Sequence, residues 1–155
     1  MIQLLKEVDY KVLKITSDVF VENGYIPIKY TCDGENVSPP LTIDYLPSSA
    51  KSLAIIVEDP DAPIDTWVHW LIWNMPVSHY IKENKAHGRE GVNDFSKHIY
   101  CGPCPLSGIH HYVFKVYALD TLLHLPENSK KIHLMREMSN HIVAYGELTG
   151  IYKRN

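Results

Sequence analysis

The sequence predicts a mostly β single domain over residues 1–155: a two-sheet antiparallel Greek-key sandwich with one C-terminal helix. Three observations carry this. Tyrosine and proline are both plentiful, at 10 each, which favours sheet and turn. Three long segments alternate with period two, and only one late stretch has helical spacing. The 155 residues suit one core that needs no disulfide staple.

Taken in chain order, residues 19–30 alternate loosely and read as strands broken at Asn23-Gly24. Residues 32–40 form a polar turn ending in Pro39-Pro40, and residues 41–45 a short strand closed by Pro47. Residues 52–59 give the clearest strand. Leu53, Ile55, Val57 and Asp59 share one face, and Ala54, Ile56 and Glu58 the other. In the next strand, residues 67–74, Trp67, His69, Leu71 and Trp73 fall opposite Val68, Trp70 and Ile72. Both faces are apolar, as in a central strand covered on both sides. Residues 78–97 read as a long polar surface loop, of the kind that often carries function. Residues 110–119 return to strand, with His110, Tyr112, Phe114 and Val116 on one face. Ser129 is placed to cap a helix running to about Ala144, which Gly146 stops before a terminal strand over residues 147–154.

The formal net charge of −3 offers no basic face for nucleic acid. Lys130, Lys131 and Arg136 read as a solvated helix face. Residues 1–7 carry an apolar stretch too short for a signal peptide, and no window approaches the ~20 apolar residues of a membrane span. A cytoplasmic location follows, and an odd count of three cysteines fits a reducing compartment.

Three constellations carry chemistry. Asp59-Pro60-Asp61-Ala62-Pro63 ends an apolar strand with two carboxylates fixed by two prolines, as either a structural turn or a paired carboxylate site. His69 lies mid-strand beside Trp67, where an isolated histidine is more often a packed core residue than a ligand. Cys101-Gly102-Pro103-Cys104-Pro105 precedes Gly108-Ile109-His110-His111-Tyr112. Its glycine and proline turn exposes N–H groups able to cradle an anion, and period two puts His110 and Tyr112 on one wall.

Taken together, these segments resemble the phosphatidylethanolamine-binding proteins, in particular the bacterial and archaeal branch described as Raf kinase inhibitor-like. Asp-Pro-Asp-Ala-Pro, Trp-x-His before a strand ending Asn74-Met75-Pro76, and Gly-Pro-Cys-Pro with Gly-x-His-His-Tyr occur in that order. Gly34-Glu35-Asn36-Val37-Ser38-Pro39-Pro40 and Gly91-Val92-Asn93-Asp94-Phe95 are similar to further signatures of that branch. The resemblance spans roughly residues 15–153. It implies a shallow pocket for phosphate-like head groups containing Asp59, Asp61, Trp67, His69, Gly102, Pro103, His110 and Tyr112. Four positions depart from the family pattern. Cys101 replaces a small residue, Leu106 the second proline of Cys-Pro-Pro, Ser96 a glycine, and His111 the arginine frequent in animal members.

The expected function is therefore binding of a small anionic or phosphorylated ligand, with no catalytic residue, no metal and no cofactor. A kinase partner is implied by the family name alone, and an exposed Tyr or Trp would serve a homodimer. Two enzyme readings compete. A thiol oxidoreductase would use Cys101 and Cys104, but that chemistry needs the first cysteine at a helix N-terminus, and Pro105 and Gly108 follow at once. A metal-dependent hydrolase would use Asp59, Asp61, His69, His110 and His111, but adjacent strand residues His110 and His111 face opposite ways. A serine or cysteine hydrolase lacks a strand-to-helix nucleophile elbow.

Overall fold

The computed structural model describes residues 11–155, so the reading of residues 1–7 lies outside it. Among the described residues, nine strands form two sheets. They are β1 (Lys11–Val12), β2 (Lys14–Thr16), β3 (Leu41–Asp44), β4 (Ser52–Asp59), β5 (Trp67–Met75), β6 (Tyr80–Ile81), β7 (Arg89–Glu90), β8 (His110–Leu119) and β9 (Ile142–Tyr152). The six-stranded sheet has the order β1-β9-β8-β4-β5-β7 and the three-stranded sheet β2-β3-β6. Every pair is antiparallel except β1 with β9, which runs parallel. Among the described residues, no helix is long and apolar enough to cross a membrane.

Period-two alternation builds both cores. Leu53, Ile55 and Val57 of β4 join Tyr112, Phe114 and Val116 of β8, and Ile15, Leu41, Ile43 and Ile81 of the small sheet, in the layer between the sheets. On the opposite face, Ala54, Ile56, Tyr117 and Leu119 pack with Leu134, Met135 and Met138 of the helix α1 (Lys131–Met138). Glu58 emerges on this second face, almost wholly buried, with its carboxylate 2.5 Å from both Lys115 and Lys131. The basic helix face is thus partly an ion-pair partner.

Several elements differ from the sequence expectation, each for a local reason. Residues 19–30 form no strand. Asn23 takes a left-handed turn at φ 62°, Tyr25 makes a single bridge to Ile151, and Pro27, which has no N–H, leads into a 3₁₀ turn at Ile28–Tyr30. The helix is eight residues long and begins after Lys130. Ser129 does not cap it; its carbonyl accepts the Val92 N–H at 2.9 Å. Gly146 lies within β9 rather than stopping the helix, and a Cβ there would stand 2.3 Å from the Leu13 carbonyl oxygen. The expected surface loop over 78–97 carries the two short strands β6 and β7.

The outer edge of β9 is covered in pieces by one early segment. β1 pairs with Ala144 and Tyr145, the Asn23 N–H donates to Thr149, and Ile151 exchanges hydrogen bonds with Gly24 and Ile26.

The cysteines also differ from expectation. Cys32 and Cys104 form a disulfide, and Cys101 is free. The Cys101/Cys104 redox pair is therefore not formed, because the partner of Cys104 comes from the turn after the 3₁₀ segment, 72 residues earlier.

Candidate functional site

β4 ends, β5 begins and β8 begins at one edge of the molecule, and there a cavity of about 270 Å³ opens. Asp59, His69, His110 and Tyr112 line its inner part, all buried. Ala62, Pro63, Trp67, Phe95, Cys104, Pro105 and Leu106 form its walls and mouth.

Asp59 is held by both carboxylate oxygens. Oδ1 accepts the Asp61 N–H at 2.8 Å, closing the Asp-Pro-Asp turn, and Oδ2 accepts from His110 Nδ1 at 2.6 Å. This hydrogen bond requires the proton of His110 to sit on Nδ1, which leaves Nε2 as the ring's remaining nitrogen.

His69 reaches the cavity through an irregularity in β5. Val57 pairs with Trp70 and Glu58 with Val68, so β5 carries one more residue than β4, and that residue is His69. The bulge places His69 and Trp70 toward the same core, while Leu71 and Trp73 point to the helix layer. The expected common face of His69, Leu71 and Trp73 is thereby broken. The backbone left unpaired by the bulge is satisfied by one loop. Asp94 Oδ2 accepts the Val68 N–H at 2.6 Å, and Asn93 Nδ2 donates to the His69 carbonyl at 3.1 Å and the Ile99 carbonyl at 2.8 Å.

The His69 ring donates from Nδ1 to the Cys101 carbonyl at 2.6 Å and meets Phe95 and Tyr112 edge-on, with centroids 5.1 and 5.4 Å away. Burial pushes its pKa below the ordinary histidine value. The neutral ring therefore presents Nε2 as an acceptor.

Tyr112 is fully buried, and its phenolic oxygen has no hydrogen-bond partner among the described residues. The Cys104 backbone and the Asp59 carboxylate lie near it without completing a bond of normal geometry. Burial first, and the neighbouring carboxylates second, drive its pKa far above the ordinary range, so it is an O–H donor at any physiological pH. At the mouth, Trp67 and Phe95 stand edge to face 5.7 Å apart. Among the described residues, no lysine or arginine lines the cavity.

Three residues placed in the pocket by sequence lie outside its lining. Asp61 turns outward, where Oδ2 accepts from the backbone N–H and Nδ1 of His111 at 2.8 and 2.7 Å. Burial opposes its ionisation, but these bonds outweigh it and hold the carboxyl below its usual range. Gly102 and Pro103 are buried behind the wall. The Gly102 amide is no free anion donor, because it donates to Asn36 Oδ1 at 2.7 Å. Phe95, Pro63 and Pro105 line the cavity beyond the residues the sequence places there, and Phe95 comes from the Gly91-Val92-Asn93-Asp94-Phe95 run. The five residues of the metal-hydrolase reading are not gathered, since Asp61 and His111 pair away from the cavity. Among the described residues no three metal-ligating side chains converge.

Comparison with known proteins places this geometry in context. The sequence profile of the family described as phosphatidylethanolamine-binding protein matches residues 16–153. A UPF0098 protein of Pyrococcus horikoshii is 46% identical over 153 residues, covering 92% of this chain and 77% of the relative. Another, from Methanothermobacter thermautotrophicus, is 44% identical over 150 residues, covering 92% and 99%. Among solved structures, a phosphatidylethanolamine-binding protein homologue from Chlamydia trachomatis superposes with a TM-score of 0.89 at 38% identity, covering 94% of this chain and 99% of its own. An E. coli protein described as a member of the mammalian family superposes with a TM-score of 0.84 at 30% identity, covering 92% and 99%.

Proposed function

Because the chain belongs to the phosphatidylethanolamine-binding protein family, we propose that its cavity binds a small phosphate-like head group. The observation that carries this reading is the buried, unpartnered Tyr112 phenol in a cavity shared with His69 and His110. A buried donor without a partner is costly, and a ligand oxygen that accepts from it recovers that cost.

The donor and acceptor pattern selects the ligand's protonation state. Tyr112 donates. His69 Nε2 accepts, so it suits a ligand O–H. His110 is fixed beside them at the cavity wall by its Nδ1–H bond to Asp59. A monoanionic phosphate ester, which carries both O⁻ and O–H, satisfies Tyr112 and His69 at once. The aromatic pair Trp67 and Phe95 at the mouth offers ring faces for an ammonium group, which fits a phosphorylethanolamine-like ligand.

The test is titration of inorganic phosphate and of phosphorylethanolamine, followed by NMR, into wild type and three variants. Tyr112→Phe should weaken binding by roughly tenfold, about 1.4 kcal/mol, while leaving stability unchanged or slightly higher, because an unpaired hydroxyl is removed. His110→Ala should weaken binding, whereas His111→Ala, whose ring pairs with Asp61 away from the cavity, should leave it unchanged. Equal affinity in wild type and Tyr112→Phe would remove the basis of this reading.

A further inference from the structure

We propose that the Cys32–Cys104 disulfide is a redox-sensitive tether for one wall of the cavity, so that Cys32, outside the cavity, positions Cys104, Pro105 and Leu106 within it. The effect on affinity rests on the anion-binding reading above; the effect on the wall does not.

The geometry points to this because other restraints end just before the wall. The Tyr100 hydroxyl donates to the Tyr30 carbonyl, the Cys101 N–H to the His69 carbonyl, the Gly102 N–H to Asn36 Oδ1, and the Cys32 N–H to the Pro103 carbonyl. Behind Gly102 the fit is close, for a Cβ there would stand 2.1 Å from the Tyr30 carbonyl oxygen. This register stops at Pro103. Among the described residues, Pro105 to Ile109 make no hydrogen bond until His110 enters β8. Leu106 is 88% exposed, and Gly108 has a left-handed φ of 71° with no atom near its Cβ position. The wall segment is therefore pinned at one end by the sheet and at the other by the disulfide. Both cysteines are partly exposed, within reach of a small reductant.

The step is reduction by a dithiol. One of its thiolates attacks a sulfur of the Cys32–Cys104 bond, and its second thiol resolves the mixed disulfide. Two electrons and two protons pass to the protein, the S–S bond breaks, two cysteine thiols form, and the reductant closes to its own disulfide. Once released, the wall occupies its binding geometry for only part of the time, and apparent affinity falls in proportion.

The experiment uses the full chain with Cys101→Ser, which removes the third thiol and with it any reshuffling. Backbone amide order parameters at residues 106–109, from NMR relaxation, and affinity for inorganic phosphate are measured before and after dithiothreitol, and again in Cys32→Ser without reductant. The order parameters of these amides should fall in both released states while those of β8 stay high. A wall in place about a fifth of the time would raise the phosphate Kd about fivefold. Unchanged order parameters at 106–109 overturn the tether, whether or not phosphate binds. Collapse of the whole fold on release overturns it too, since the disulfide would then serve the entire molecule. Phosphate binding by neither form removes the anion reading and leaves the tether to be judged by the amides.

Discussion

At the residue scale, Asp59 is the hinge of the cavity. Its two oxygens hold the Asp-Pro-Asp turn and the His110 ring, so one truncation leaves two donors without acceptors. Asp59→Ala should lower stability by roughly 2 kcal/mol, read from the denaturant midpoint, and also weaken phosphate binding. Asp61→Ala, whose pairing with His111 is exposed, should shift the midpoint little and leave binding intact. Asp59, His110 and Tyr112 could be placed from sequence because period two fixes which side chains share a strand face. Asp61 and Gly102 could not. What turns them from the cavity is a partner distant in sequence, His111 for one and Asn36 for the other.

At the element scale, the bulge in β5 decides where His69 points, and Asn93 and Asp94 support it. Asn93→Ala removes donors to the His69 and Ile99 carbonyls within a buried site and should cost roughly 1–3 kcal/mol, with displaced His69 ring resonances as the structural signature. The bulge was illegible in sequence because the residues around it, Val68, Trp70 and Leu71, are all apolar. An extra residue therefore shifts the phase without disturbing the pattern. β4 and β8 were legible to the residue because their alternation runs without a shift beside Asp59 and His110. The pair β1 and β2 was missed although Leu13 and Ile15 alternate there; strands of two and three residues give too short a pattern. The helix was overextended because Ile142, apolar at helical spacing, serves equally well as the first residue of β9.

At the scale of the whole molecule, acid stability and cross-linking follow from buried groups far apart. Burial lowers the His69 pKa, so its contribution to stability is complete above about 6.5 and is lost as pH falls through the folded value. Burial alone would raise the Glu58 carboxyl, but Lys115 and Lys131 outweigh it and hold it below its usual value of 4.5. Its contribution is complete above that value and disappears on further acidification. Chemical denaturation across pH should therefore show a first decline that His69→Gln flattens and a second that Glu58→Gln removes. At neutral pH Glu58→Gln should itself cost roughly 3 kcal/mol, because two lysines then face a neutral amide at a buried site. Releasing the disulfide, which spans 72 residues, should cost roughly 2–4 kcal/mol of unfolding free energy. No sequence rule paired Cys32 with Cys104, since three cysteines permit three pairings and only the docking of residues 30–36 against 100–104 selects one. The piecewise cover over β9 has a further consequence, in self-association. β9 is eleven residues long and contains Ile142, Val143, Ala144 and Tyr145 in one run. Uncovered, it would offer a long row of unpaired N–H and C=O groups to another copy of the chain. The short patches from residues 11–26 occupy part of that row. Deleting that segment should raise thioflavin-positive aggregation relative to the full chain.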